Sequence, residues 1–313
     1  MQTQGIQKQQ VQKVLFIAAL LACATPYVSA PVALLGGFLF SHAWGHPFPG
    51  LGRKATNWLL KASVVGLGFG MDLQQALRVG QEGVELALAS IVAVFALGFL
   101  VSGVLHVSRR TAHLVASGTA ICGGSAIAAV APVVNASEKE ISVALGTVFL
   151  LNAVALFVFP AAGHLLDLTQ HQFGLWSAIA IHDTSSVIGA AATYGQEALQ
   201  VATTVKLARA LWIVPVALVS TLVFKSDARK MTFPWFIGLF VIALLANSYF
   251  SFVGQLGVQV AAWAKSGLVV TLFLVGADLS VENLKAVGWR PLALGVILWA
   301  FVSVASLLVI LHL

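Results

Sequence analysis

The chain has 313 residues, of which 59% are apolar and 9% charged, with a mean hydropathy of +0.95. Soluble domains carry about 25% charged residues, so a soluble fold is excluded. The formal charge of +6 is spread in short pairs, Arg53-Lys54, Arg109-Arg110 and Arg229-Lys230, between long apolar runs. That spread excludes a nucleic-acid-binding face and fits the loops of a polytopic membrane protein.

Lys8 and Lys13, followed by the apolar stretch 14–24, have the outline of a signal peptide, and Leu20-Leu21-Ala22-Cys23 approximates a lipoprotein cleavage site. The leucine before Ala22 fits that site poorly and apolar chain resumes at once, so the segment reads as an uncleaved first span. About 20 apolar residues cross a bilayer as a helix. Eleven candidate runs follow, at 14–27, 30–44, 56–71, 84–104, 111–134, 141–165, 175–194, 199–224, 233–252, 258–277 and 291–313. The second and third are short. No stretch alternates polar and apolar residues as a transmembrane barrel requires, so the fold is an all-α polytopic membrane protein, read as one transmembrane domain over 1–313. A cytoplasmic N-terminus puts Lys8, Lys13, Arg53, Lys54, Arg109, Arg110, Lys225, Arg229, Lys230, Lys285 and Arg290 inside. Arg78, Lys265 and, on eleven crossings, Lys139 fall elsewhere. That asymmetry sets the orientation and leaves the C-terminus outside. Cys23 and Cys122 lie apart in apolar surroundings, which excludes a disulfide framework and a Cys-rich metal site.

The chain repeats itself twice. Segments 48–106 and 252–312 match at an offset of about 206, with Trp58 against Trp263 and Gly70-Met71-Asp72-Leu73 against Gly276-Ala277-Asp278-Leu279. The third run leaves the cytoplasm and the tenth returns to it, so these copies have inverted topology, as in secondary transporters. Asp72 and Asp278 read as helix-end residues without chemistry. A second pair, 118–163 and 178–223, matches Ala120-Ile121-Cys122-Gly123-Gly124-Ser125 with Ala180-Ile181-His182-Asp183-Thr184-Ser185-Ser186, and Asn152 with Arg209. If all eleven runs cross, this pair points one way and conflicts with the first. If the fifth and seventh runs are re-entrant or broken helices, nine spans remain and the conflict disappears.

Charges at membrane depth cost about 2.5 to 3.5 kcal/mol even on a lenient scale, and mark functional sites by default. Asp183, Lys206 and Arg209 lie deep in their runs, and the two cations share a helix face. One carboxylate facing two cations leaves +1, which attracts an anion; the plainer reading is a structural network that neutralises Asp183 and helix C-terminal carbonyls. Gly123 and Gly124 interrupt a helix cheaply and expose backbone N–H groups, and Thr119, Cys122, Ser125, Thr184, Ser185 and Ser186 line the same two motifs. Close helix packing is the alternative for such small residues. His182 is the candidate for proton coupling, against a neutral interior histidine. Asn152 is expected to line the same cavity. His42 and His46 read as a surface loop, and no motif calls for a metal or another cofactor.

At 118–129, at His182-Asp183-Thr184-Ser185-Ser186 onward and at Lys206-Leu207-Ala208-Arg209 the sequence resembles the YeiH-type family, which carries a sulfate-exporter label. The resemblance covers essentially the whole chain. It implies a bacterial inner-membrane carrier, grouped with bile-acid, arsenite and citrate carriers, in which inverted repeats place interrupted helices at the substrate site. The leading expectation is thus a secondary carrier of a small anion such as sulfate or a related sulfur oxyanion, with no nucleic-acid partner. A single chain and a homodimer both fit the sequence. With no Walker-type motif in the sequence, coupling falls to a gradient. The rivals are an anion channel, a membrane sensor and, least favoured, an intramembrane enzyme, because adjacent His182 and Asp183 point about 100° apart on a helix.

Overall fold

The computed structural model describes residues 2–25, 27–225, 235–278 and 288–312, and their side chains except at 2–8, 49–54, 57, 75, 82 and 251–255. The side chains of Lys8, Arg53 and Lys54, and residues Arg229, Lys230, Lys285 and Leu279, lie outside the described part.

The described residues form helices α1 (Gln2–Cys23), α2 (Ala30–Trp44), α3 (Pro49–Gly68), α4 (Leu73–Leu105), α5 (Arg109–Ala120), α6 (Gly124–Val130) and α7 (Glu138–Leu165). These are followed by α8 (Gln170–Ala180), α9 (Thr184–Tyr194), α10 (Gln196–Ala210), α11 (Ile213–Phe224), α12 (Trp235–Tyr249), α13 (Ser251–Asp278) and α14 (Trp289–Leu311). Among the described residues, five stretches are long and apolar enough to cross a membrane: Ala76–Leu105, Glu138–Leu165, Gln196–Phe224, Leu256–Asp278 and Trp289–Leu311. Four shorter apolar helices, Gln9–Cys23, Ala30–Trp44, Trp58–Gly68 and Trp235–Tyr249, join them. Together they account for every apolar run except the fifth and seventh.

Those two runs double back. In the fifth, Gly118 of α5 meets the side chain of Ile127 in α6, nine residues on, which a continuous helix would hold about 13 Å away along its axis. The Ser108 hydroxyl, where α5 begins, donates to Glu140 Oε1 in the first turn of α7 at 3.0 Å, so the chain has come back to its starting level. In the seventh, the rings of Phe173 in α8 and Tyr194 at the end of α9 stack with centroids 3.8 Å apart. The Tyr194 hydroxyl donates to the Leu168 carbonyl, and Gln170 Oε1 accepts from the Glu197 N–H at 3.0 Å. Both runs are therefore helical hairpins, closed at the base, as the reading with two re-entrant elements expects.

Local sequence sets these ends. Ser137 and Glu140 form a reciprocal capping box at the start of α7, and Thr169 and Gln172 form one at the start of α8. Ser108 caps α5 by accepting from the Thr111 N–H.

Contacts gather into two compact units, Met1–Leu73 with Phe236–Ser280, and Gln74–Trp235 with Val281–Leu313. In the first, α13 packs along α2 and α3 through small residues: Gly37 lies against the Phe273 carbonyl, Gly276 against the Leu34 carbonyl and Gly66 against Ala264. Such residues let helices approach closely where lipid gives no hydrophobic drive. Phe16, Phe40 and Phe273 pack edge to face beside them. The second unit holds both hairpins with α7, α10 and α11.

Candidate functional site

The site forms where the two hairpin tips meet. Helix α5 stops at Ala120, and Gly123 takes φ +64°, ψ −127° before α6 starts. A Cβ on Gly123 would stand 3.1 Å from Asp183 Cα and 3.2 Å from Asp183 Cβ. Glycine is thus required twice, for a backbone that L side chains rarely adopt and for contact with the other tip.

At that second tip, Ile181 and His182 leave the helix, and Asp183 in extended conformation caps α9. Its Oδ2 accepts from the Ser185 N–H at 3.0 Å and from the Ser185 hydroxyl. Asn152 of α7 holds the tip from the side: its Oδ1 accepts from the N–H groups of both His182, at 3.1 Å, and Asp183, at 3.2 Å. The pair His182-Asp183 therefore lies in a helix break rather than on a helix, and the angular argument made from a regular helix does not apply to it.

Lys206 and Arg209 of α10 are fully buried. Lys206 Nζ donates to the carbonyls of Ile181, at 2.7 Å, and Ala178, at 3.3 Å. Arg209 Nε donates to the Ala120 carbonyl of α5 at 2.7 Å, and its Nη1 donates to the carbonyls of Ala178 and Ile179 of α8. These oxygens belong to helix C-termini, where the last four carbonyls lack intrahelical partners and carry a partial negative charge. Arg209 thus bonds to both hairpins. Among the described residues no ion pair joins Asp183 to either cation. The three charges expected to face one another are divided instead: the carboxylate goes to the start of α9, and the cations go to the ends of α5 and α8.

Arg209 lies one residue from the middle of the span Gln196–Phe224, and Asn152 lies at the middle of Glu138–Leu165. These repeat-matched residues approach the tips from two different helices at the same depth. Thr119, Cys122, Thr184, Ser185 and Ser186 are buried around the crossing, Gly124 is half-buried, and Ser125 is exposed on α6. Of the expected site residues, those at the two tips, Asn152, Lys206 and Arg209 are brought together; Ser125 faces away from the buried part.

The hairpin bases escaped sequence reasoning. Ser108, Glu140, Gln170 and Tyr194 hold the hairpins closed, and the Ser-x-x-Glu and Thr-x-x-Gln capping signatures at 137–140 and 169–172 are the signals that reveal where new helices begin.

Residues 11–295 match the family described as Conserved hypothetical protein 698. The chain belongs to that family. It is the YeiH-type family to which the motifs pointed, and the match takes in both hairpins and the buried cations. A YeiH-type relative from Bacteroides thetaiotaomicron, a UPF0324 membrane protein, is 51% identical over 283 residues, 90% of this chain and 86% of the relative. UPF0324 membrane proteins of Shewanella oneidensis and Bdellovibrio bacteriovorus are 48% and 49% identical over 98% and 97% of this chain and 97% and 96% of their own lengths. No solved structure matches. Family and helices agree on a multi-pass membrane protein.

Proposed function

We propose that this YeiH-type protein is a secondary carrier that moves a small anion, such as sulfate or a related sulfur oxyanion, across the bacterial inner membrane by alternating access. The carrying observation is the contact of two doubled-back hairpins at mid-span, with Lys206 and Arg209 buried against their helix ends. Broken helices meeting at mid-depth are how carriers build a site within lipid, because irregular backbone is tolerated there only inside protein. Two buried cations suit an anion, and a chain without a Walker motif is driven by a gradient. The excess of Lys and Arg on one set of loops supports a cytoplasmic N-terminus.

The test is counterflow in proteoliposomes loaded with sulfate, sulfite or small sulfonates. A carrier gives saturable uptake of labelled anion that is accelerated by unlabelled anion on the other side. Passive conductance without counterflow replaces the carrier with a channel, and a chemically altered anion replaces it with an enzyme.

A further inference from the structure

Four buried side chains at the hairpin tips keep polar atoms that meet no protein partner: Thr119 Oγ1, Asn152 Nδ2, both ring nitrogens of His182, and Arg209 Nη2. None of the four residues is more than 3% exposed. Interiors leave few such atoms, and each calls for an explanation. Four around one crossing point to something bound there. Asn152 Oδ1 bonds the His182 backbone, and Arg209 bonds both the carbonyl next to Thr119 and the Ile179 carbonyl three residues before His182, so the four residues sit on segments joined at the one crossing. The orientation of Asn152 is fixed, because only Oδ1 can accept from the two backbone N–H groups, which leaves Nδ2 to donate elsewhere. The guanidinium and amide nitrogens donate only, and the threonine hydroxyl and one imidazole nitrogen are able to donate. This is a donor set for oxygen atoms bearing negative charge.

The local charges limit how negative the ligand is. Lys206 and the Nε/Nη1 side of Arg209 are taken up by the C-terminal carbonyls of α5 and α8. Asp183 is taken up by the start of α9. One guanidinium nitrogen, Arg209 Nη2, remains. A second negative charge on the ligand would find no free cation there and would lie near Asp183, where low polarity makes an unpaired charge costly.

We infer that the cluster binds a monovalent oxyanion through Arg209 Nη2, Asn152 Nδ2 and Thr119 Oγ1, and discriminates against divalent oxyanions. This rests on the anion-carrier reading and narrows its substrate class to singly charged oxyanions, which sets sulfate itself aside in favour of monovalent relatives such as sulfonates. The test titrates the full chain in detergent with nitrate, formate, methanesulfonate and sulfate at equal ionic strength, reading calorimetric binding and the melting temperature. At least one monovalent probe is expected to bind saturably, with sulfate weaker by about tenfold or more, a difference set by the unpaired second charge. Thr119→Val, which keeps the volume, is expected to weaken the monovalent probe several-fold. Asn152→Asp, which keeps the acceptor for His182 and Asp183, is expected to abolish binding. Sulfate binding as tightly as the monovalent probes overturns the charge selection and leaves the carrier reading standing. Monovalent binding untouched in Thr119→Val and in a folded Asn152→Asp overturns the site. Absence of binding by all four anions, together with absence of anion counterflow, overturns both.

Discussion

Gly123 and Asn152 carry the tip contact through different physics. Gly123→Ala must place a Cβ against Asp183 Cα while holding φ at +64°. The strain is about 1–3 kcal/mol, and the expected result is a lower melting temperature together with lost anion exchange. Gly124→Ala is the comparison: its Cβ would meet only side-chain atoms of Phe149 and Leu145, so a smaller loss is expected. Asn152→Leu removes the acceptor for two backbone N–H groups at once. Leaving a buried donor unsatisfied costs about 1–3 kcal/mol, and thermal melting of the variant checks that loss. The sequence marks Gly123-Gly124 as a break because two adjacent glycines weaken a helix. It does not say which glycine bears the positive φ, since that follows from the Asp183 backbone brought against it from 60 residues away. Nor does it show that Lys206 and Arg209 face carbonyls, because α5 and α8 are followed by Ile121 and Ile181, without the glycine that commonly marks a helix C-terminus.

The hairpins owe their closure to their bases as much as to their tips. Tyr194→Phe keeps the stack on Phe173 and removes the hydrogen bond to the Leu168 carbonyl; a loss of about 0.5–1.5 kcal/mol is expected, read by thermal melting. Tyr194→Ala removes both and is expected to lower stability further. The doubling back also fixes where the loops lie. Lys139, in the first turn of α7, falls on the same side as Ser108, and Leu166, after α7, falls on the other. Lys139→Cys is therefore expected to react with a membrane-impermeant thiol reagent from the same side as His106→Cys, and Leu166→Cys from the opposite side. Eleven crossings would reverse the first assignment relative to His106, so the labelling pattern decides it. Hydropathy alone leaves this open, since a hairpin of two short helices has the same apolar length as one span. The capping boxes at Ser137 and Thr169 carry the missing information, because they mark chain that starts a helix afresh after a return.

With both hairpins returning to their own side, the two internal duplications agree. Both pairs, 48–106 with 252–312 and 118–163 with 178–223, are then expected to have inverted topology. Each compact unit takes a share of both copies: one unit holds α3 and α13, the other α4, α14 and both hairpins. The chain passes between the units after Leu73, Trp235 and Ser280, the first and last of these within two residues of the matched Asp72 and Asp278. The repeat is read from Asp72-Leu73 and Asp278-Leu279, which recur in order with their flanking glycines; the division into units is not legible in the sequence, because it depends on which helices pack, and apolar faces do not name their partners. If the four shorter apolar helices cross as well as the five long ones, the number of crossings is odd and the two termini are expected on opposite sides. With the proposed cytoplasmic N-terminus, which the basic residues at 53–54, 109–110 and 225–230 support, the C-terminus is expected outside. A fluorescent protein fused before Met1 is expected to fluoresce, and alkaline phosphatase fused after Leu313 is expected to be active, since each reporter works on only one side of the membrane. A phosphatase fused after Val107, between α4 and α5, is expected to be inactive. Activity there would place the base of the first hairpin outside and reverse the orientation of every span.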